Sequence, residues 1–363
     1  MSRTDIGVLS GTVMTVGGPI PVHDLGVTMM HEHIAIDANS WWHCPDCAER
    51  MYLTDQPVRM SILGELRMDP FVNRDNCSLT DVNIAVSELQ QYADLGGRTV
   101  VDPTNNGIGR SPATLREISD KTGLNIVMGA GYYLEASQPA DFAGMSEQAI
   151  ADEIEREATE GVDGTGVRIG IIGEIGIGKD FTPAEEKSLR GAARAQAATG
   201  LPLSIHLPGW ERLAHRVLDV VADQGGDLAH TVLCHMNPSG ADVDYQNSLA
   251  ARGAFIEYDM IGMDYYYADQ HAQSPCDEEN ASAVKGLIDA GFGHSILLSQ
   301  DVFLKMMLTH YGGFGYAHVL RHFVPRLRRH GVGDAQIETL LVDNPRCVFS
   351  ATHRRQVMGG RDA

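Results

Sequence analysis

Short apolar runs rich in β-branched residues recur along this chain, each bounded by turn residues and most followed by a stretch with helical apolar periodicity. The runs fall near residues 27 to 30, 98 to 102, 124 to 130, 167 to 173, 201 to 205, 230 to 234, 253 to 258 and 295 to 300. Between the first two, Val82, Ile84, Ala85, Leu89 and Tyr92 mark one helical face; near 183 to 198, Leu189, Ala192, Ala193 and Ala197 mark another. Thr182 with Glu185 spells a capping box, and Ser111-Pro112 a helix start. Ile-Gly-Ile-Ile-Gly and Ser-Ile-Leu-Leu-Ser are continuous instead of alternating, as strands covered on both faces are.

Strand followed by helix, repeated eight times, predicts an α/β fold of the (β/α)8 TIM-barrel type, because parallel strands need long crossovers and both sheet faces must be covered. Residues 1–363 read as one such domain. A hairpin is expected within residues 7 to 26, around Gly17-Gly18-Pro19, capping the barrel bottom. Residues 34 to 80 form a long irregular insertion after strand one, with Trp41, Trp42 and four arginines, expected to lie over the C-terminal face as a lid or partner surface. A doubly wound open sheet is the runner-up, but it does not bring the ends of strands one, four, five, six and eight around one point.

Composition narrows the function classes. Of 363 residues, 43% are hydrophobic and 21% charged, ordinary for a chain with a large core. The formal net charge of -20 disfavours nucleic acid and anionic membrane surfaces as partners. Neither a secretory h-region nor a bilayer-length apolar stretch is legible, so a soluble cytoplasmic protein is expected. Six scattered cysteines suit reduced thiols. Cys44 and Cys47, in Cys-Pro-Asp-Cys beside His43, supply half a zinc pattern without its second half, so free thiols are the expectation there.

The chemistry resides at the strand ends. His31 and His33 follow the first run, Glu174 the fourth, His206 the fifth, His235 the sixth and Asp301 the eighth. In extended backbone, side chains two apart point the same way, so His31 and His33 can converge on one ion while Glu32 turns away. Four imidazoles and two carboxylates at one barrel mouth would hold two divalent ions and a water, which makes a metal-dependent hydrolase the leading reading. Glu174 would bridge the ions, with an ion pair to Arg168 or Arg110 as the bland alternative. Asp301 would touch one ion and carry a proton to the leaving group, or serve merely as a helix N-cap. Tyr132, Tyr133 and Tyr258, with the run Tyr265 to Tyr267, are candidates for an aromatic pocket wall, and Arg110 for holding an anionic group.

Several ordered motifs extend this picture: Gly-Val-Thr-Met-Met-His-Glu-His-Ile (26 to 34), Val-Asp-Pro-Thr-Asn-Asn-Gly-Ile-Gly-Arg (101 to 110), Gly-Ala-Gly-Tyr-Tyr (129 to 133), Gly-Ile-Ile-Gly-Glu-Ile-Gly (170 to 176), Ser-Gln-Asp (299 to 301), Gly-Tyr-Ala-His (315 to 318) and Asp-Asn-Pro-Arg (343 to 346). Over nearly its whole length the chain resembles the phosphotriesterase-related branch of the amidohydrolase superfamily. The resemblance implies that His31, His33 and Asp301 hold a more buried metal and His206 and His235 a more exposed one. It implies a bridging anion from strand four, which is a carboxylated lysine in the best-known members. Here Gly173 stands at that position and Glu174 follows, as in the glutamate-bridged subgroup. It further implies a pocket role for Tyr133 and, since the family is often dimeric, a homodimer with the lid tryptophans as interface candidates.

The expected reaction is attack by a metal-bridged hydroxide on an ester, lactone or related acyl or phosphoryl centre of a small molecule. Zinc leads as the metal; manganese, cobalt or iron would satisfy the same ligands. The competing expectations are a non-catalytic barrel that binds a small ligand, an N-acyl amide hydrolase, and a one-metal barrel enzyme of the deaminase type.

Overall fold

A computed structural model describes residues 11 to 350. Eight parallel strands, Val27–Met29, Gly97–Asp102, Asn125–Met128, Ile172–Gly176, Leu203–His206, Thr231–Leu233, Phe255–Tyr258 and Ile296–Leu298, are numbered one to eight below. Strands one to three form one ladder and strands four to eight another, each in sequence order. Backbone hydrogen bonds close both seams. Gly173 N–H donates to Ala130 O at 2.7 Å, joining strands three and four, and Asp301 N–H donates to His31 O at 3.1 Å, joining eight to one.

Helices alternate with these strands, as the periodicity predicts: Val82–Asp94, Pro112–Thr122, Glu147–Thr159, Pro183–Thr199, Ala214–Asp223, Val243–Ala251 and Asp277–Asp289, followed after strand eight by the segment Val319–Phe323 and Val324–Arg329. Ser111 caps the helix at Pro112, and Thr182 with Glu185 completes the capping box. Each helix buries one apolar stripe on the sheet. Inside the barrel floor, Val101, Val127, Ile171, Val232, Phe255 and Leu297 form a second core. The hairpin Thr12–Thr15 with Gly18–Pro21 closes that floor: Val13 joins the same cluster and Val16 N–H donates to Ile126 O at 2.9 Å. The start of the expected hairpin segment, residues 7 to 10, lies outside the described residues.

The insertion leaves strand one and returns through a short antiparallel pair, Ile36–Asp37 with Ser78–Leu79. Between them Leu53, Val58, Ile62, Leu66, Phe71 and Val72 are buried and continuous with the main core of the barrel, so the segment packs on the barrel mouth. Cys44 and Cys47 are exposed free thiols. No helix among the described residues is long and apolar enough to cross a membrane.

One expected boundary moves. The fourth strand was placed at 167 to 173 but runs from Ile172 to Gly176, so Glu174 lies within the strand instead of following it. The apolar run Ile169 to Ile172 is buried as expected, but strand pairing there is confined to its C-terminal part.

Candidate metal centre

All six predicted side chains meet at the C-terminal mouth of the barrel. His31 and His33 follow strand one on the same side, with Nε2 atoms 3.3 Å apart. Asp301 Oδ1 lies 3.4 Å from His33 Nε2 and 3.6 Å from His31 Nε2. Glu174 lies between the halves of the cluster: Oε1 is 3.2 Å from His33 Nε2, while Oε2 is 3.1 Å from His206 Nδ1, 3.3 Å from His235 Nε2 and 3.6 Å from His31 Nε2. The last two ring nitrogens are 2.8 Å apart. Neither Arg168 nor Arg110 pairs with Glu174, which removes the bland alternative for that carboxylate.

Local backbone explains why these residues project inward. His235 and Asp301 have φ of 58 and 47, in the left-handed region that non-glycine residues rarely occupy. Such strain costs about 1–3 kcal/mol per residue and persists where surroundings over-determine it. Gly173, with φ of 109, cannot carry a side chain: a Cβ would come within 2.0 Å of Ser204 O. A lysine at that position is sterically excluded in this backbone, and the carboxylate comes from the next residue.

Buried partners hold the outer faces of the rings. Asp259 Oδ1 is 3.1 Å from His235 Nδ1 and its Oδ2 3.3 Å from His31 Nδ1, and both oxygens accept from His235 N–H at 3.0 Å. His33 Nδ1 is 2.7 Å from Thr104 Oγ1. Asp102 fixes that region by accepting from Ile34 N–H at 2.9 Å and Thr104 N–H at 3.0 Å. Glu32 does turn away, as alternation requires, and its carboxylate accepts from Ser299, Gln300 and Val302, tying strand one to strand eight. Beneath His31, Cys234 and Glu257 complete a second buried group with Asp259.

So many ionisable groups in one dry site push against one another. Burial opposes charge on His206, as does neighbouring His235, and the ring is held down at about 4. His235 goes the other way: burial lowers it, but Asp259 and Glu174 outweigh burial and raise it to about 10. Glu174 is buried too, yet His31, His206 and His235 draw its carboxyl well below the usual range. Burial and the proximity of Glu174 drive Asp301 upward against the pull of His31 and His235.

The donor set fits divalent cations. Tetrahedral bonds of about 2.0–2.1 Å from nitrogen and oxygen place neighbouring ligand atoms roughly 3.3 Å apart, and most of the pairs above lie within a few tenths of that spacing. Two triads, His31 with His33 and Asp301, and His31 with Glu174 and His235, each have donor atoms within 4.8 Å of one another. Cys44 and Cys47 belong to no such group among the described residues.

A cavity of about 560 Å³ opens above the cluster, and His33, Glu174, His206, His235 and Asp301 form its floor. Of the predicted substrate residues, Tyr133 lines it, with its hydroxyl 3.2 Å from His206 Nδ1. The other three do not. Tyr132 points outward to Glu153, 2.8 Å away, and packs on Phe142. Arg110 forms a two-pronged ion pair with Glu157 at 2.7 and 2.6 Å, its side chain 3% exposed. Tyr258 is fully buried and donates to Gln246. Sequence reasoning overlooked Asp259, although it stands just past strand seven, where the same strand-end signal marked the other residues. It also overlooked the ring wall of Trp41, Phe71, Trp210 and Phe303.

A model of the phosphotriesterase family matches residues 11–349. The chain belongs to the phosphotriesterase family. It is accordingly a binuclear metal-dependent hydrolase of the phosphotriesterase-related type. An N-acetyltaurine hydrolase of Tetraodon nigroviridis is 35% identical over 342 residues, covering 93% of this chain and 97% of that protein. A phosphotriesterase-related protein of Nematostella vectensis is 34% identical over 93% of this chain and 98% of its own. Among solved structures, a resiniferatoxin-binding protein from Rhodobacter sphaeroides superposes with a TM-score of 0.93 at 60% identity, covering 94% of this chain and 96% of that one.

Proposed function

We propose that this phosphotriesterase-family hydrolase cleaves an acyl bond of a small molecule, an ester, lactone or N-acyl amide, using a metal pair held by His31, His33, Glu174, His206, His235 and Asp301. The observation that carries the reading is the placing of Glu174 between the two halves: one oxygen addresses His33, and the other addresses His206 and His235, with His31 farther off at 3.6 Å. A carboxylate so placed is suited to bridging two cations.

Two divalent ions bound there would act as Lewis acids and lower the pKa of a bound water from about 15.7 to about 7. The chain supplies the rest. Asp301 stands on the cavity floor and accepts a proton that it later delivers to the leaving group. Tyr133 presents its hydroxyl beside His206, where it can donate to the acyl oxygen. Asp259 keeps the rings of His31 and His235 in the orientation that points Nε2 inward. Imidazole with carboxylate ligation favours zinc, with manganese, cobalt and iron next. Free thiols support a reducing, cytoplasmic setting. Exposed Met51, Tyr52, Met60 and Met68, all on the insertion, support pairing with a second copy.

Elemental analysis should give about two metals per chain, falling in Glu174→Gln. Asp301→Asn should lower kcat by about 10²–10⁴-fold while metal content stays within one ion of wild type. Metal-replete protein that is inert across esters, lactones, amides and phosphoesters would overturn the proposal. The 60% identity to a structure described as a binding protein favours a second reading, small-ligand binding without turnover. Recovery of a tightly bound ligand unchanged after incubation supports that one.

A further inference from the structure

Six aromatic rings wall the cavity, and they arrive from five separate places in the chain. Trp41 and Phe71 come from the insertion, Tyr133 from the loop after strand three, Trp210 after strand five, Tyr267 after strand seven and Phe303 after strand eight. They touch in a continuous arc. Phe71 is the hub: its ring centroid is 5.3 Å from that of Trp41, stacked, 6.1 Å from Tyr267 and 6.2 Å from Phe303. Trp210 extends the arc through Tyr267 at 5.4 Å, and Trp41 carries it to Tyr133 at 6.4 Å. The arc ends on the floor histidines, with Tyr133 4.9 Å from His206 and Phe303 6.5 Å from His33. Whatever is held above His206 therefore lies within one ring's width of aromatic surface.

Charge at the rim points the same way. Away from the floor, the lining includes four carboxylates, Glu135, Asp180, Glu185 and Asp269, and one cationic side chain, Lys179. Glu185 is occupied by the helix cap, accepting from Gly178 N–H at 3.1 Å and Thr182 N–H at 3.0 Å. The remaining three acids outnumber Lys179, on a chain whose formal net charge is -20. At the rim an anion meets these acids and apolar walls that offer it few hydrogen bonds, whereas a neutral ring buries its surface there at about 25 cal/mol per Å².

We propose that the preferred substrate carries an uncharged, ring-sized apolar group beside the scissile acyl bond, and that Phe71 and Trp41 of the insertion select for it. The inference rests on the hydrolase reading given above. In the reaction the acyl C–O or C–N bond breaks; the oxygen of water joins the acyl carbon and its proton leaves on the alcohol or amine.

The test pairs substrates that share an acetyl group and differ in the other half: N-acetyltaurine against N-acetylphenethylamine, and acetate esters of choline, ethanol and benzyl alcohol. Metal-replete protein should turn over the aryl member of each set with kcat/KM at least tenfold above its partners. Phe71→Ala should shrink that ratio at least fivefold, through a rise in KM for the aryl member that exceeds any change for N-acetyltaurine or ethyl acetate. Benzyl alcohol and 2-phenylethanol should also quench tryptophan fluorescence of the wild type and much less that of Trp41→Phe, a readout independent of turnover. Preference for the sulfonate, or equal rates with a ratio unmoved by Phe71→Ala, would overturn the inference and leave the hydrolase reading standing. Absence of turnover on every compound by protein carrying two metals would count against the hydrolase reading, and fluorescence quenching would then decide the ring preference alone.

Discussion

Asp259 and His31 face one another on the side of the imidazole turned away from the cavity: the carboxylate oxygen sits within ion-pair distance of Nδ1, at 3.3 Å, with both residues fully buried. The other oxygen of Asp259 does the same for His235. One carboxylate thus orients a ring from each half of the cluster. Asp259→Ala takes the carboxylate oxygens away from both rings at once. Metal affinity should fall about 10–100-fold, the usual effect of losing such a support, and both ions should be weakened together. Competition with a chromophoric chelator measures this; loss of one ion at wild-type affinity for the other would contradict the shared role.

Gly173 supplies the second prediction. Gly173→Ala forces a Cβ to within 2.0 Å of Ser204 O at a φ of 109, so strands four and five must separate or the backbone must flip. Strain and overpacking should together lower stability by about 2–4 kcal/mol. Denaturant midpoints read this directly, and a variant within 0.5 kcal/mol of wild type would show that the strand tolerates a side chain there.

Arg110 and Glu157 are both buried and paired. Removing the guanidinium strands a carboxylate in the interior, which costs about 3 to 5 kcal/mol. Arg110→Met should therefore lower the Tm sharply while folded enzyme keeps its KM. A raised KM at unchanged stability would restore the anion-binding role that the sequence suggested.

Acid should act on the pair Asp277 and His318, whose atoms are 2.7 Å apart on the far side of the strand-seven loop. Burial resists ionisation of Asp277, but the hydrogen bond and charge of His318, with Gly262 N–H, win and hold its carboxyl below the usual range. A depressed carboxylate stabilises the fold above its unfolded pKa of about 3.9 and loses that contribution as pH falls through the folded value. Asp277→Asn should thus destabilise the protein by about 1.5–3 kcal/mol at pH 6 and by less at pH 2.5. Urea midpoints at the two pH values check this; a gap that does not narrow would remove Asp277 as the titrating group.

Chelation should remove the ions and lower the Tm, because ligands that converge in the folded state are scattered in the unfolded one. Differential scanning calorimetry with and without chelator measures the shift, and re-addition of zinc should reverse it.

The cluster was legible because metal-binding residue types recur at strand ends, where a closed barrel brings every C-terminus to one rim. Alternation predicted that His31 and His33 face inward and Glu32 away, and they do. The same rule separates Tyr132 from Tyr133, one packed outward on Phe142 and one in the cavity, and Tyr258 from its inward neighbours Glu257 and Asp259. Treating adjacent tyrosines as a pair was the error, since neighbours in extended chain face opposite ways. The ring wall was not readable, because Trp41 and Phe71 lie in single 3-10 turns and Trp210 and Phe303 in loops, all too short for periodicity to report direction.

Reactive groups and pocket shape occupy different stretches of this chain. The donors stand on or directly after barrel strands, whereas the hub of the cavity wall, Phe71, belongs to the insertion between strand one and the first barrel helix. Exchanging residues 38 to 77 for another segment between the same two anchoring strands, with its packing on the barrel kept, would recast what fits while leaving the donors in place, which makes that stretch the natural target for redirecting the enzyme to new compounds.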